Sequence, residues 1–121
     1  MVLDAARNGE VEILQSILDQ HPSLREARLP GKNLRPMHLS ASYAHTSAVQ
    51  VLLHRGAELE ARDGEGWTPL MCAVAEGAAE VVRLLCKHGA NVHSRSLEDE
   101  GMLDVVDSDP VRRILQQAGA K

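Results

Sequence analysis

The chain has 121 residues, of which 44% are hydrophobic and 25% are charged, and its net charge is −4. This length suits one domain with a modest core. The only aromatic residues are Tyr43 and Trp67, so the interior must be built from Leu, Val, Ile and Ala, which favours close helix packing and argues against an all-β sandwich.

Charge and hydropathy argue against further classes of protein. Residues 1–62 carry seven Lys or Arg and seven Asp or Glu, whereas residues 63–121 carry six and ten, so the basic stripe of a nucleic-acid binder is missing. No apolar run approaches the roughly 20 residues of a membrane span, and the N-terminus lacks the apolar region of a signal peptide. Cys72 and Cys86 are too few for a disulfide framework. We therefore expect a monomeric intracellular protein, cytoplasmic or nuclear, with no nucleic-acid or membrane partner.

Related segments follow one another along the chain. Residues 33–59, NLRPMHLSASYAHTSAVQVLLHRGAEL, align with residues 66–92, GWTPLMCAVAEGAAEVVRLLCKHGANV, so that Pro36 falls on Pro69 at an offset of 33 residues. An earlier copy begins near Ala5, and a shorter copy follows at an offset of 30 residues. We expect one domain, residues 1–121, in which the outermost units act as caps. The four units lie near residues 1–29, 30–62, 63–95 and 96–121.

Unit 3 shows most clearly how each unit should fold. Thr68 stands in position to cap a helix over Leu70–Glu76, and Gly77 should end that helix in a left-handed conformation. A second helix is predicted over Glu80–His88, with an apolar face of Val and Leu, and Gly89 ends it. Two such short helices cannot bury their apolar faces alone, so neighbouring units must stack.

Unit 4 differs from the others in a way that suits the end of a stack. It is shorter, and its second helix is predicted over Pro110–Ala118. This helix should direct a polar face to solvent, as a terminal unit requires. The expected solvent-facing side chains are Arg112, Arg113, Gln116 and Gln117.

The 33-residue period with DGEGWTPL, AVAEG and VVRLLCKHGA in unit 3 resembles the ankyrin repeat. The resemblance covers nearly the whole chain, is strongest in units 3 and 2, and implies an all-α solenoid of about four helix-turn-helix units joined by β-hairpin-like loops. His38 matches the histidine of the family's T-P-L-H motif and should bond neighbouring backbone. At other positions the chain departs from the pattern, and the family's side chain–backbone bonds are in doubt there. These positions are Arg35 in place of Thr, Met71 in place of His, and Ala44 and Asp99 in place of Gly.

The resemblance also implies a function, because family members bind proteins through their finger loops and the concave face of their first helices. The chain is therefore expected to be a non-catalytic adaptor or regulatory subunit. Finger positions are Gly31, Lys32 and Leu34 in unit 2, Gly64, Glu65 and Trp67 in unit 3, and Leu97, Glu98 and Glu100 in unit 4. First-helix positions are Arg7, Asn8, Ser42, Tyr43, Ala75 and Glu76.

Two features of these positions bear on the partner. Trp67 and Tyr43 are residue types that dominate interface hot spots, although Trp67 could instead pack on its own repeat. Charge is divided along the face, with basic residues at one end and acidic residues at the other, so that a partner of matching polarity would be steered into register unless this is merely a solvated surface. The basic group is Arg7, Lys32 and Arg35, and the acidic group is Glu65, Glu76, Glu98, Asp99 and Glu100.

No catalytic, cofactor or metal site is expected. Cys86 and His88 are two residues apart on a helix and face different directions, so they do not form a metal site with His93. His54 and His88 are explained as partners of the helix dipole at the C-termini of second helices. Two alternatives stay open: an engineered or reconstructed ankyrin scaffold, and the substrate-recruiting domain of a larger enzyme or regulatory protein. The irregular units count against an engineered scaffold, since designs favour idealised repeats.

Overall fold

The computed structural model describes residues 1–106 and 108–119, so Asp107 and the last two residues of unit 4 lie outside the described residues. Within them, eight α-helices and one 3₁₀ helix are joined by short turns. The α-helices are α1 (Val2–Asn8), α2 (Val11–Gln20), α3 (Pro36–Ser42), α4 (Thr46–His54), α5 (Pro69–Ala75), α6 (Ala79–Lys87), α7 (Met102–Val105) and α8 (Asp109–Gln117), and the 3₁₀ helix is Pro22–Glu26.

The helices pack in two layers, which confirms the predicted all-α repeat fold. Each odd-numbered helix contacts the even-numbered helix that follows it. The odd-numbered helices also contact one another in chain order and form the inner layer, while the even-numbered helices form the outer layer in the same way. No strand occurs in the described part of the chain, where the only β-type pairing is an isolated antiparallel bridge between Leu29 and Leu34.

The core between the layers is aliphatic, as the scarcity of aromatic residues requires. Leucines on the outer-layer helices recur as fully buried side chains, and each contributes roughly 1.5–3 kcal/mol through burial. On the inner-layer helices, buried alanines allow the backbones to approach closely. The leucines are Leu14, Leu18, Leu52, Leu85 and Leu115, and the alanines are Ala6, Ala41 and Ala73.

The helix ends follow the signals predicted for unit 3. The Thr68 Oγ1 atom accepts a hydrogen bond from the Met71 N–H at 3.3 Å, and Gly77 has φ 69°. Helices α5, α6 and α8 each lie one residue nearer the N-terminus than predicted. At the C-terminal ends the reason is local, because Glu76, His88 and Ala118 adopt cap conformations with ψ close to zero.

Three non-glycine residues keep the left-handed backbone conformation that glycine supplies elsewhere in the repeats. Asn33, Ala44 and Asp99 have φ values of 58°, 59° and 62°. The fold therefore preserves its turns where the sequence departs from the family pattern, and the strain is greatest for Ala44, whose side chain cannot form a compensating local hydrogen bond.

Unit 4 is the least regular part of the stack. Its first helix, α7, has only four residues. The Asp104 carboxylate accepts a hydrogen bond from the Gly101 N–H at 2.8 Å and so caps that helix. On α8, Arg113 is exposed as expected, but Arg112 is half-buried, because its Nη2 atom donates to the Val106 carbonyl at 3.4 Å. Nowhere in the described chain is a helix both long and apolar enough to cross a membrane.

Candidate functional site

Three finger loops, residues 30–34, 63–67 and 96–100, project from the inner layer. Each is closed by a backbone hydrogen bond across its base: Leu29 N–H to the Leu34 carbonyl at 2.7 Å, Asp63 N–H to Trp67 at 3.0 Å, and Ser96 N–H to Glu100 at 3.0 Å. The loops are also bonded to one another. The Gly64 N–H donates to the Lys32 carbonyl at 2.8 Å, and the Leu97 N–H donates to the Glu65 carbonyl at 3.0 Å. The three loops thus form one continuous edge.

Two side chains fix the backbone of the middle loop, those of Asp63 and Arg62. The Asp63 Oδ1 atom accepts hydrogen bonds from the N–H groups of Glu65 and Trp67, each at 2.9 Å. Arg62 lies beneath the loop and donates from Nη1 to the carbonyls of Gly66 at 2.7 Å and Arg95 at 2.6 Å. Sequence reasoning missed this role of Arg62, although an arginine at the same position of the next unit was a signal for it.

His38 joins the start of α3 to the middle loop. Its Nδ1 atom accepts the Arg35 N–H at 3.2 Å, so its Nε2 atom carries the proton and donates to the Trp67 carbonyl at 2.8 Å. Burial lowers the pKa of His38 and keeps the ring neutral at neutral pH. The prediction that His38 bonds backbone is confirmed, and one partner lies 29 residues away in the next unit.

A groove of about 580 Å³ lies between the first two finger loops and helices α3 and α5. We call it the finger-side groove. Trp67 and Leu34 are half-buried on its wall, while Lys32, Glu65 and Glu76 are exposed along it. Nine of the finger and first-helix positions selected from the sequence line it: Gly31, Lys32, Leu34, Ser42, Gly64, Glu65, Trp67, Ala75 and Glu76.

The other selected residues lie outside this groove. Tyr43 is 56% exposed and stacks on His45 with ring centroids 6.4 Å apart. Leu97 is 78% exposed at the tip of the third loop, with Glu98 and Glu100 on the same loop. Arg7 and Asn8 end helix α1, where the Arg7 guanidinium pairs with Asp4 at 3.4 Å. The structure therefore divides the predicted face into the groove and two flanking regions.

Arg35 does not belong to the exposed basic group in which the sequence placed it. Its side chain is only 12% exposed, and its Nη1 atom lies 2.9 Å from Glu26 and 3.4 Å from Glu58. It ties unit 1 to the end of unit 2 and is not available for steering a partner. Asp99 is likewise engaged, since its Oδ1 atom lies 2.6 Å from Arg95 Nε.

The charges left along the finger side are mainly acidic. Glu65, Glu76 and Glu98 are exposed and make no ion pair within the described residues. Glu65 and Glu76 line the groove, and so does Lys32, a cation that makes no ion pair in the described part of the chain either. Asp63 adds a fourth carboxylate near the rim, although its Oδ1 atom is occupied by the loop backbone. The groove therefore offers an apolar wall beside a negative rim.

The cysteines and the remaining histidines show no sign of a reactive or metal-binding arrangement. Cys72 lines the groove, but burial raises the pKa of its thiol to about 12, so it is protonated at neutral pH and a poor nucleophile. The His88 Nδ1 atom donates to the Leu84 carbonyl at 3.0 Å, as expected for a helix C-terminus. Residues 1–106 and 108–119 contain no group of three or more His, Cys, Asp or Glu arranged to hold a metal ion.

Comparison with known proteins agrees with the repeat fold of the structure. The family described as ankyrin repeats, in three copies, matches residues 2–96. A probable E3 ubiquitin-protein ligase of Oryza sativa subsp. japonica is 35% identical over 92 residues, which are 76% of this chain and 18% of the ligase. The RelA-associated inhibitor of Mus musculus is 29% identical over 112 residues, or 93% of this chain and 13% of the inhibitor. The chain thus spans less than a fifth of these two relatives. Protein phosphatase 1 regulatory subunit 27 of Homo sapiens is 28% identical over 110 residues, which are 90% of this chain and 70% of that subunit.

Proposed function

The chain belongs to the ankyrin-repeat family, a family of protein–protein interaction modules, and from that premise we propose that it acts as an adaptor or regulatory subunit that binds its partner in the finger-side groove. The observation that carries this proposal is the position of Trp67. In a chain with one tryptophan, that residue lies half-buried on the wall of the groove, with both its backbone N–H and its carbonyl fixed by hydrogen bonds. A rigid, partly exposed aromatic ring is typical of an interface hot spot.

The charges of the groove indicate the chemistry of the partner. A segment with a Lys or Arg side chain would meet Glu65 and Glu76, and an apolar side chain beside it would cover Trp67 and Leu34. Complementary charge of this kind mainly raises the association rate and selects partners, while burial of the apolar side chain contributes to affinity. Because the finger loops are bonded to one another, little ordering is needed when a partner binds.

Two relatives support different uses of the same groove. The phosphatase regulatory subunit supports a regulatory role, since 70% of its length matches this chain. The ubiquitin ligase supports a second candidate, recruitment of a substrate to a catalytic region elsewhere in a longer protein. Sequencing of the full-length transcript separates these uses, because a recruiting domain requires a catalytic region in the same polypeptide and a regulatory subunit does not.

The groove can be tested by charge reversal. Glu65→Lys changes an exposed residue of the groove, and Glu12→Lys on α2 changes an exposed residue of the outer layer by the same amount. A partner captured with the wild-type chain and identified by mass spectrometry is then purified and titrated against all three proteins. We expect Glu65→Lys to weaken binding by at least about tenfold and Glu12→Lys to change it by less than about twofold. Equal affinity of Glu65→Lys and wild type would contradict the proposal.

A further inference from the structure

A second groove lies on the outer layer, across helices α2, α4 and α6. Its volume is about 630 Å³, slightly larger than that of the finger-side groove. Its floor is aliphatic, with Val11, Val51, Leu53 and Leu84 all partly exposed to solvent. We call it the outer groove. Because it lies on the even-numbered helices, it shares no residue with the finger-side groove.

The ionisable side chains that line the outer groove are all of basic types, whereas those that line the finger-side groove are mainly acidic. His54, Arg55, Lys87 and His88 line it, and no carboxylate does so among the described residues. This is unlike the chain as a whole, which has 17 Asp and Glu against 13 Lys and Arg. The Arg55 guanidinium is held by Asp19 at 2.5 Å, whereas Lys87 is exposed and makes no ion pair within residues 1–106 and 108–119.

Helix capping explains part of this arrangement but not all of it. The His88 ring bonds the Leu84 carbonyl, which accounts for a histidine at the end of α6. Capping does not account for the absence of carboxylates from the lining on three successive helices, or for the uncharged amides of Gln15 and Gln50 that lie beside the aliphatic floor.

We propose that the outer groove is a second docking surface, which binds an acidic, amphipathic segment of another protein. Aliphatic side chains of that segment cover the floor, and its carboxylates face Lys87, His54 and the free edge of the His88 ring. A polyphosphate chain fits less well, because nucleic-acid binding relies on a long basic stripe and the groove has an apolar floor with few cations. With a groove of basic side chains on one layer and a groove with an acidic rim on the other, one copy of the chain joins two different proteins.

The test uses a matched pair of charge reversals on α6. Lys87→Glu changes a residue of the outer groove, and Arg83→Glu makes the same change in net charge four residues earlier, at an exposed residue that does not line the groove. The probe is a phage-displayed library of random peptides of about 16 residues, long enough for four turns of an amphipathic helix. The library is selected on the chain carrying Glu65→Lys, so that binding of peptides in the finger-side groove is weakened. Enriched peptides are synthesised and titrated by fluorescence anisotropy.

We expect the enriched peptides to combine Asp or Glu with aliphatic residues. We also expect Lys87→Glu to weaken their binding by at least about tenfold, while Arg83→Glu changes it by less than about twofold. Peptides that are neutral or basic, or equal losses in the two variants, would overturn the proposal. Tighter binding of single-stranded DNA or of phosphatidylserine vesicles than of any selected peptide would overturn it as well. Self-association of the wild-type chain in sedimentation, abolished by Lys87→Glu, would assign the groove to a second copy instead. None of these outcomes bears on the finger-side groove.

Discussion

Arg35 is the N-cap residue of the first helix of unit 2 and Thr68 is that of unit 3, and only the threonine side chain accepts a hydrogen bond from its helix. In unit 2 the side-chain hydrogen bond at the start of the helix is made by His38, whose Nδ1 atom accepts the N–H of the N-cap residue Arg35. The turn after the helix differs in the same way, since Gly77 in unit 3 corresponds to Ala44 in unit 2 and both have positive φ. Two sets of side chains therefore maintain one backbone path.

The two units differ in the range of the contacts that stabilise them. Unit 3 relies on short-range devices, a threonine cap and a glycine turn, which act within a few residues. Unit 2 relies on contacts that cross unit boundaries, from His38 to Trp67 and from Arg35 to Glu26. We therefore expect substitutions in unit 2 to loosen the junctions between units, whereas equivalent substitutions in unit 3 act locally.

The largest effect is expected from making unit 2 resemble unit 3 at its buried polar residue. His38→Met removes both hydrogen bonds of the buried ring and leaves the partly buried Arg35 N–H without a side-chain acceptor, so the free energy of unfolding should fall by about 2–3 kcal/mol. The reciprocal Met71→His brings a ring near the Thr68 N–H and should cost no more than about 1 kcal/mol. Urea denaturation measures both, and equal losses would remove the distinction between the units.

The next largest effect concerns Arg35. Arg35→Leu leaves the Glu26 carboxylate, which is 29% exposed, without its cation, and should lower the free energy of unfolding by about 2 kcal/mol. The expected loss is smaller than for a fully buried ion pair because the second carboxylate, that of Glu58, is 59% exposed. Arg83→Leu breaks the exposed ion pair with Glu80 and serves as the control, with an expected loss below about 0.5 kcal/mol. A loss at Arg35 as small as the control would show that the ion pair does not hold the units together.

A pH dependence should distinguish the two units as well. Burial lowers the pKa of His38 in the folded chain below its ordinary value of 6.5, so the unfolded chain binds the proton more tightly. The stability due to neutral His38 is fully present above pH 6.5 and is lost as the pH falls from 6.5 towards the lower pKa of the folded state, by about 1 kcal/mol per pH unit. Thermal unfolding between pH 7 and pH 5 should therefore show a steeper decline for the wild-type chain than for His38→Met. Parallel profiles would contradict the assignment.

How much of this could be predicted from the sequence depends on the range of the interaction. Thr68, Pro69 and Gly77 act on neighbouring residues, so their pattern predicted the helix of unit 3 to within one residue. Arg35 was placed wrongly among exposed charges because its partners lie nine and 23 residues away, beyond any local pattern. Arg62 was missed for the same reason, since it acts on the carbonyl of Arg95 in the next unit.

The candidate site was predictable at the level of faces but not of grooves. The repeat register placed Trp67, Leu34 and Glu65 on one face, and they line one groove. Tyr43 and Leu97 correspond, at the 33-residue offset, to Glu76 and Gly64 of the groove but lie outside it, because the groove is lined by the loops and first helices of units 2 and 3 only. The position of a residue in the repeat determines the face of the molecule on which it lies, whereas the neighbouring side chains determine whether it lines a groove.

The smallest effect is expected at the left-handed turns. Ala44→Gly relieves a positive φ of 59° in an exposed alanine and should raise the free energy of unfolding by about 0.5–1 kcal/mol. Gly77→Ala introduces the same strain into unit 3 and should lower it by about 1 kcal/mol. Differential scanning calorimetry should show shifts of opposite sign in the midpoint temperature of unfolding for the two variants. Shifts of the same sign would indicate that the two turns are not equivalent.

The finger-side groove can be tested most directly through the fluorescence of Trp67, because the chain has no other tryptophan and this one lies half-buried on the groove. A tryptophan-free segment of the identified partner is titrated into the wild-type chain while anisotropy of a label on the segment follows binding independently. If a partner binds in the groove, we expect a saturable shift of Trp67 emission to shorter wavelength, because the ring loses contact with water, with the same dissociation constant as the anisotropy change. Saturation of the anisotropy with unchanged Trp67 emission would contradict it.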